Sequence, residues 1–195
     1  MEPILLDLPS ELRTERLVLR PPRAGDGALV NEAVLESAAD LAAWMPWAVP
    51  TPKVEDTEKW CREAAAKWLK REEIHFSLYL PDSGICVGAC GMHHITWNVP
   101  LAEIGYWLRT PYSGKGLMTE AVNALTALAL ETLKVQRVEI RCDEHNARSA
   151  AVSERTGYRL DGILRNNSRD PAGVLRSTRV YSRLPADPAK SGAAG

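Results

Sequence analysis

The stretch PYSGKGLMTEA, residues 111–121, places two glycines around a lysine directly before a run of helix-forming residues. The first backbone N–H groups of a helix have no partner within the helix, and the helix dipole is positive at that end. Glycines let the backbone approach an anion closely because they carry no Cβ atom. The pattern is typical of a phosphate-binding loop, and also of a tight strand-to-helix turn that needs glycine for geometry alone.

Two common nucleotide-binding motifs do not fit this stretch. A Walker A loop needs G-x-x-x-x-G-K-[ST], whereas only GKG is present at residues 114–116. A dinucleotide fingerprint needs G-x-G-x-x-G after the first strand of a βαβ unit, but the preceding segments predict a hairpin. Kinase and dehydrogenase functions are therefore disfavoured.

The pattern on both sides of the loop predicts a mixed α/β domain. Hydrophobic periodicity and turn residues predict strands at residues 16–20, 75–81, 85–95, 101–109, 137–142, 158–165 and 174–184. They predict helices at residues 25–37, 54–71, 116–133 and 147–155. No repeat or linker interrupts this order, so a single domain is expected over residues 12–184, followed by a disordered tail at 185–195.

Composition narrows the function classes. Lys and Arg number 24 against 25 Asp and Glu, and a net charge of −1 argues against a broad grip on nucleic acid or an anionic membrane. No apolar run approaches ~20 residues, and the N-terminus does not resemble a signal peptide. The four cysteines form no CxxC pair and are expected to be reduced thiols in the cytoplasm. No His, Cys and Asp set has zinc-site spacing, so no metal is predicted.

Five segments, in order, carry a resemblance that covers about residues 12–184. They are TERLVLRP (14–21), WMPW (44–47), EIGYWL (103–108), SGKGLMTEA (113–121) and NARSAAVSERTGY (146–158). Together they resemble the GNAT N-acetyltransferase superfamily, in its RimJ/RimL-like branch of protein N-terminal acetyltransferases. The resemblance implies an α/β GNAT fold, with a mixed, mostly antiparallel sheet splayed at the acetyl-CoA site and helices on both faces. It also implies acetyl-CoA as co-substrate and a homodimer.

The resemblance also implies which residues hold acetyl-CoA. Residues Trp107, Leu108 and Arg109 match the strand whose backbone binds the pantetheine arm. The pyrophosphate cradle matches the amides of Ser113, Gly114, Lys115, Gly116, Leu117, Met118 and Thr119. Asn146 matches a position that touches the CoA arm. The superfamily motif [Q/R]-x-x-G-x-[G/A] is not met at its first position, which is Pro111 here.

Acetyl transfer to an amine needs a base, an oxyanion site and an acid for the departing thiolate. Ser149 matches the family serine that reaches the CoA sulfur, and its other interpretation is a helix serine bonded to backbone. The branch tends to place a glutamate where Ser168 stands here, with Asp170 nearby. Glu103 is therefore the preferred base, acting through a water; its alternative role is a surface or paired carboxylate.

Histidines and tryptophans supply the remaining candidates. His93 and His94 are adjacent on a predicted strand, so they should point to opposite faces and at most one should face the cleft. Trp60 and Trp68 are predicted to be core residues. The remaining pair, Trp44 and Trp47, matches the family's acceptor-side loop and is expected to wall the substrate pocket.

Three functions remain open from the sequence. The preferred one is transfer of acetyl from acetyl-CoA directly to a protein N-terminal α-amine. The first alternative is acetylation of a small amine, such as an amino acid, a polyamine or an antibiotic. The second is an acyl-CoA-binding module without catalysis, which the missing glutamate near Ser168 would explain.

Overall fold

The computed structural model describes residues 2–170 and 172–188. Its strands form one eight-stranded sheet in the order β1-β2-β3-β4-β5-β6-β8-β7. They span β1 (Leu12–Arg13), β2 (Val18–Arg20), β3 (Ile74–Tyr79), β4 (Cys86–Thr96), β5 (Leu101–Leu108), β6 (Arg137–Asp143), β7 (Arg159–Arg169) and β8 (Leu175–Arg183). The helices are α1 (Gly27–Glu36), α2 (Ala38–Ala42), α3 (Val54–Lys70), α4 (Leu117–Ala127) and α5 (Ala147–Arg155).

Each strand and helix predicted from the sequence is found, with shifted ends. The two-residue β1 and the five-residue α2 were not predicted, since neither is long enough to show a hydrophobic period. The helix predicted at residues 116–133 is α-helical only to Ala127 and continues as a π turn over Leu128–Thr132. Leu184 and Asp187 close a hydrogen-bonded turn after β8, and residues 189–195 of the predicted tail lie outside the described residues.

Helices cover both faces of the sheet, as predicted. Successive side chains of a strand point to opposite faces, and β3 shows this directly. Leu78 is buried in the main core with the apolar stripe of α4, whereas Tyr79 is buried with residues of α1 and α3. The α4 stripe of Leu117, Ala121 and Leu125 is nearly fully buried, which confirms the periodicity.

The sheet opens between β5 and β6, the one parallel pair among the described strands. Their pairing starts at Leu101 with Arg137 and ends at Glu103 with Glu139. Beyond that point β5 runs on to Leu108 beside β4, while β6 runs on to Asp143 beside β8. The two strands therefore part like the arms of a V, as the predicted splayed sheet requires.

The close approach of β4 and β5 at this opening gives a stability prediction. A Cβ atom on Gly88 would lie 2.3 Å from the carbonyl oxygen of Trp107, so the strands would have to move apart. We expect Gly88→Ala to lower the free energy of unfolding by about 2 kcal/mol, measured by urea denaturation. The control is Gly162→Ala, whose Cβ would have no atom within 4 Å and whose effect should stay within about 0.5 kcal/mol. Equal stabilities for the two variants would contradict the tight strand approach.

Candidate active site

A cleft of about 920 Å³ occupies the opening between β5 and β6. Its walls come from both strands, the start of α5, the loop before α3 and the end of β7. Six of the residues predicted from the sequence line it: Trp44, Trp47, Glu103, Trp107, Asn146 and Ser149. Leu108, Arg109 and residues 113–119 lie outside its lining, at or beyond the C-terminal end of β5.

The glycine loop has the backbone shape that the sequence suggested. Gly114 and Gly116 have φ values of +76° and +78°, in the left-handed region that favours glycine. A Cβ on Gly114 would meet no atom within 4 Å, so the space in front of the loop is open. Residues 117–119 form the first turn of α4, whose N–H groups have no intrahelical acceptor. The Ser113 amide is different, because it donates to the Thr110 carbonyl at 3.0 Å.

Arg16 holds this loop from outside, a role that the sequence did not reveal. Its Nη1 donates to the Lys115 carbonyl at 2.9 Å. Its Nε and its backbone N–H both donate to the Glu120 carboxylate at 2.8 Å. The residue lies within TERLVLRP, but no local pattern shows that it reaches a loop 99 residues away. Arg16 therefore fixes both the loop and the first turns of α4.

Along the end of β5, the backbone N–H and C=O groups point alternately toward β4 and toward the opening. The Arg109 N–H donates to the Val87 carbonyl of β4 at 2.7 Å, so that amide is already used. Because backbone groups of successive strand residues point to alternate sides, those of Leu108 and Tyr106 point into the opening. The Arg109 side chain is only about 10% exposed and bonds to Glu32 and Glu36, which ties β5 to α1. Of the three strand residues predicted to contact pantetheine, Leu108 alone has its backbone groups free to face the gap.

Glu103 lies where the two strands part, and its side chain is 14% exposed. One carboxylate oxygen, Oε2, is 3.2 Å from Nδ1 of His94 and 3.6 Å from Nε of Arg141. The other, Oε1, is 4.0 Å from Nε2 of His93. The carboxylate is thus partly shielded from water and surrounded by groups that can exchange or hold a proton.

The prediction that at most one of His93 and His94 faces the cleft was wrong. Both line it, and their ring centroids are 4.7 Å apart. His94 has a φ of +49°, and the pairing of β4 with β5 is irregular between His93 and Thr96. A strand residue in the left-handed region breaks the two-residue alternation, so the second ring turns back to the side of the first.

Ser149 is held by two residues at the opposite wall of the cleft. Its hydroxyl lies 2.9 Å from the Tyr106 hydroxyl, and its backbone N–H donates to Oδ1 of Asn146 at 3.0 Å. Asn146 is therefore the N-cap of α5, which leaves only its amide NH₂ free for a ligand. Burial raises the pKa of Tyr106 to about 12, so this phenol stays protonated at neutral pH and can donate to Ser149. The sequence analysis missed Tyr106, although it lies within EIGYWL.

The alternative carboxylate, Asp170, is engaged elsewhere. Its Oδ2 accepts from two nitrogens of Arg176, at 2.8 and 3.1 Å. These hydrogen bonds hold the pKa of Asp170 below its usual range, which makes it a weak base. The Ser168 hydroxyl donates to the Arg176 carbonyl at 3.3 Å. Both residues line the cleft, but neither offers a free proton acceptor comparable to Glu103.

The tryptophans divide differently from the prediction. Trp44 and Trp47 line the cleft and are 39% and 46% exposed, and the Trp47 ring lies 6.1 Å from that of Trp107. Trp68 is buried against Phe76, as predicted. Trp60 is only partly buried, because it packs edge-on against His75 and faces the cleft. Its assignment to the core was therefore wrong in part, since a helix stripe does not show where the sheet opens.

Comparison with known proteins places this chain in one family. The acetyltransferase (GNAT) domain model matches residues 16–159. The probable N-acetyltransferase YjcK of Bacillus subtilis (strain 168) is 33% identical over 135 residues, which cover 69% of this chain and 74% of YjcK. The putative ribosomal N-acetyltransferase YdaF of the same organism is 30% identical over 158 residues, which cover 78% of this chain and 82% of YdaF.

A solved structure agrees with these relatives at the level of the fold. RimL, a ribosomal L7/L12 α-N-protein acetyltransferase solved with coenzyme A, superposes with a TM-score of 0.83 at 22% identity. The superposition covers 89% of this chain and 97% of RimL. The chain therefore belongs to the GNAT acetyltransferase family, in its RimJ/RimL-like branch, and is an acetyl-CoA-dependent N-acetyltransferase.

Proposed function

We propose that this enzyme acetylates the N-terminal α-amine of a protein, with Glu103 as general base and Ser149 as general acid. The observation that carries this proposal is that one cleft, at the parting of β5 and β6, has both groups on its lining. The names of YdaF and RimL point to ribosomal-protein acceptors for those relatives. The exposed Trp44 and Trp47 give the cleft an open apolar wall that suits a peptide end.

The residues present fit acetyl-CoA. The free backbone groups of Leu108 suit the amides of the pantetheine arm, which would lie along β5 like an added strand. The amides of residues 114–119 suit the pyrophosphate, because the two left-handed glycines leave open space before a helix N-terminus. The Ser113 N–H already donates to the Thr110 carbonyl, so Ser113 would contact the ligand through its side-chain hydroxyl. Asn146 contributes its amide NH₂ in the same way.

The chemistry follows from the two walls of the cleft. Glu103 takes a proton from the acceptor ammonium through a water, which frees the nitrogen lone pair to attack the thioester carbonyl. A backbone N–H of β5 facing the gap stabilises the oxyanion that forms. As the C–S bond breaks, Ser149 gives its proton to the CoA sulfur, and the new amide nitrogen releases its extra proton to water. Tyr106 acts as a positioning residue, because its hydroxyl fixes that of Ser149 and can replace the proton.

The Ser149–Tyr106 pair gives a kinetic prediction. We expect Ser149→Ala to lower kcat at least about tenfold, with a smaller loss for Tyr106→Phe, because the thiolate then leaves without a proton. The acetyl-CoA affinity, measured by calorimetry, should stay nearly constant in both variants. The control is Ser168→Ala, which removes another hydroxyl of the cleft lining, one that donates to the Arg176 carbonyl at 3.3 Å and has no place in the proposed mechanism. Unchanged kcat with weaker acetyl-CoA binding in Ser149→Ala would contradict the acid role.

The acceptor is tested by thiol release from acetyl-CoA against a panel of amines. The panel contains peptides with Ala, Ser and Met N-termini, polyamines, free amino acids and aminoglycosides. Each peptide is paired with its N-acetylated form, which lacks the reactive amine. Turnover of free but not blocked peptides is the expected result. Turnover of small amines alone would support the small-amine alternative, and acetyl-CoA binding without turnover of any amine would support a binding module.

We propose one domain over residues 12–184, supported by the single sheet whose strands run from Leu12 to Arg183. The cytoplasm is proposed as the compartment, supported by four cysteines that are all buried free thiols.

A homodimer is proposed because edge strand β7 is exposed along its length, including Leu160 and Ile163. Among the described residues, no helix is long and apolar enough to cross a membrane.

A further inference from the structure

The cluster of His93, His94 and Glu103 has the geometry of a transition-metal site. One ligand atom of each residue lies within 4.8 Å of the others. The Nδ1 atoms of the two histidines are 3.1 Å apart, and Nδ1 of His94 is 3.2 Å from Oε2 of Glu103. Ligands about 2.0–2.2 Å from a tetrahedral Zn²⁺ ion lie about 3.3 Å from each other. These contacts are therefore close to the spacing that a shared ion imposes.

The backbone is built to bring these side chains together. His94 adopts a φ of +49°, which is uncommon outside glycine and turns its ring toward His93 and Glu103. Gly105 leaves room for the other ring, since a Cβ there would lie 2.8 Å from Nε2 of His93. His93 is also directly paired with Glu103 across β4 and β5. Two independent features of the strands thus converge on one point of the cleft lining.

The surrounding charges allow a cation at this point. Arg141 lies 3.6 Å from Glu103 and would oppose an ion there. Its guanidinium, however, is bound by the Glu139 carboxylate through two nitrogens, at 2.8 and 3.0 Å, which offsets its charge. Two imidazoles and one carboxylate favour Zn²⁺ and related ions over Mg²⁺ or Ca²⁺, which prefer oxygen ligands.

We propose that His93, His94 and Glu103 bind a single Zn²⁺-class ion, and that this ion inhibits the enzyme reversibly. The bound ion would occupy the carboxylate of Glu103 and stand in the cleft where the acceptor amine must lose its proton. His94 is 77% exposed, so the ion can enter from solvent. The ion takes no part in acetyl transfer, and its binding requires neither acetyl-CoA nor turnover.

Binding is tested on the whole chain after dialysis against a chelator. Calorimetric titration with ZnCl₂ should give one ion per chain, and Co²⁺ should show the ligand-field absorption of an N- and O-ligated ion. The key variant is His94→Asn, because asparagine tolerates positive φ and keeps the strand shape while removing the imidazole. We expect His94→Asn and His93→Gln each to weaken Zn²⁺ binding at least about tenfold, which corresponds to 1.4 kcal/mol. His145→Ala is the matched control, an exposed histidine outside the cluster whose loss should change nothing.

Inhibition is tested separately once an acceptor is in hand. Zn²⁺ should slow acetyl transfer by the wild type, EDTA should restore it, and His94→Asn should resist the ion. Equal Zn²⁺ affinity in the wild type and His94→Asn would overturn the site. So would a thiolate charge-transfer band with Co²⁺, because it would place the ion on cysteine. A failure of the acetylation assay would leave the binding result intact, so the two proposals can be told apart.

Discussion

Replacing Gly114 with aspartate should weaken acetyl-CoA binding by at least about 30-fold. Two unit charges 4 Å apart interact by about 4 kcal/mol at an effective dielectric constant of 20. The loop is open to solvent, so we take half of this value, about 2 kcal/mol, which corresponds to about a 30-fold higher dissociation constant. The Cβ of the new residue would enter the open space in front of the loop, where the pyrophosphate is proposed to bind. The measurement is calorimetric titration with acetyl-CoA, together with an unfolding curve.

Gly114→Asn is the matched control for this prediction. Asparagine has the shape of aspartate and tolerates the φ of +76° about as well, but it carries no charge. We expect it to weaken binding by no more than about threefold, since the remaining cost is conformational. Equal affinities in the two variants would show that no phosphate lies in front of Gly114. The glycines would then serve only the geometry of the turn between β5 and α4.

Replacing Glu103 with glutamine should lower kcat about 100-fold near neutral pH, while acetyl-CoA affinity stays nearly constant. Glutamine keeps the shape of the side chain but cannot accept the proton of the acceptor ammonium. An α-amine has a pKa of about 7.7–8.0, so above that range most of the acceptor is already neutral. The difference between wild type and variant should therefore shrink as pH rises. The measurement is a pH series of kcat with the best acceptor of the panel, in buffer containing a chelator.

Glu73→Gln is the matched control, because Glu73 also lines the cleft. Its carboxylate is held by Lys67 and His75, each at 2.9 Å, and has no place in the proposed mechanism. We expect the kcat of this variant to change by less than about threefold, which corresponds to less than about 0.7 kcal/mol in the activation free energy. If Glu103→Gln has the wild-type rate at every pH, the base lies elsewhere. A loss of the same size in both variants would indicate a general electrostatic effect of the cleft.

The order of elements and the left-handed glycine loop before α4 could be predicted from the sequence because both depend on local signals. Apolar stripes at 3.6-residue spacing predicted α3 and α4, Gly157 marked the end of α5, and turn residues separated the strands. Gly114 and Gly116 mark left-handed backbone before a helix, which few other residues adopt easily. The five motifs, read together, were enough to give the family and its co-substrate.

The contacts within the cleft could not be predicted in this way. Tyr106 meets Ser149 across 43 residues of chain, and Arg16 meets Lys115 across 99. Such pairs follow from the register of strands and the packing of helices, on which the local periodicity carries no information. The error on His94 has the same origin, because one left-handed residue reverses the face of a side chain without changing the sequence pattern.

The sequence by itself determined the fold class, the family and the backbone shape of the glycine loop before α4, since these rest on propensities and motifs that act within a few residues of each other. Only the tertiary structure decided where the sheet parts, which backbone groups of β5 face the opening and what surrounds Glu103. The parting after the Glu103–Glu139 pair sets the position of every group in the cleft. Its physical reason is that β5 stays paired with β4 and β6 stays paired with β8.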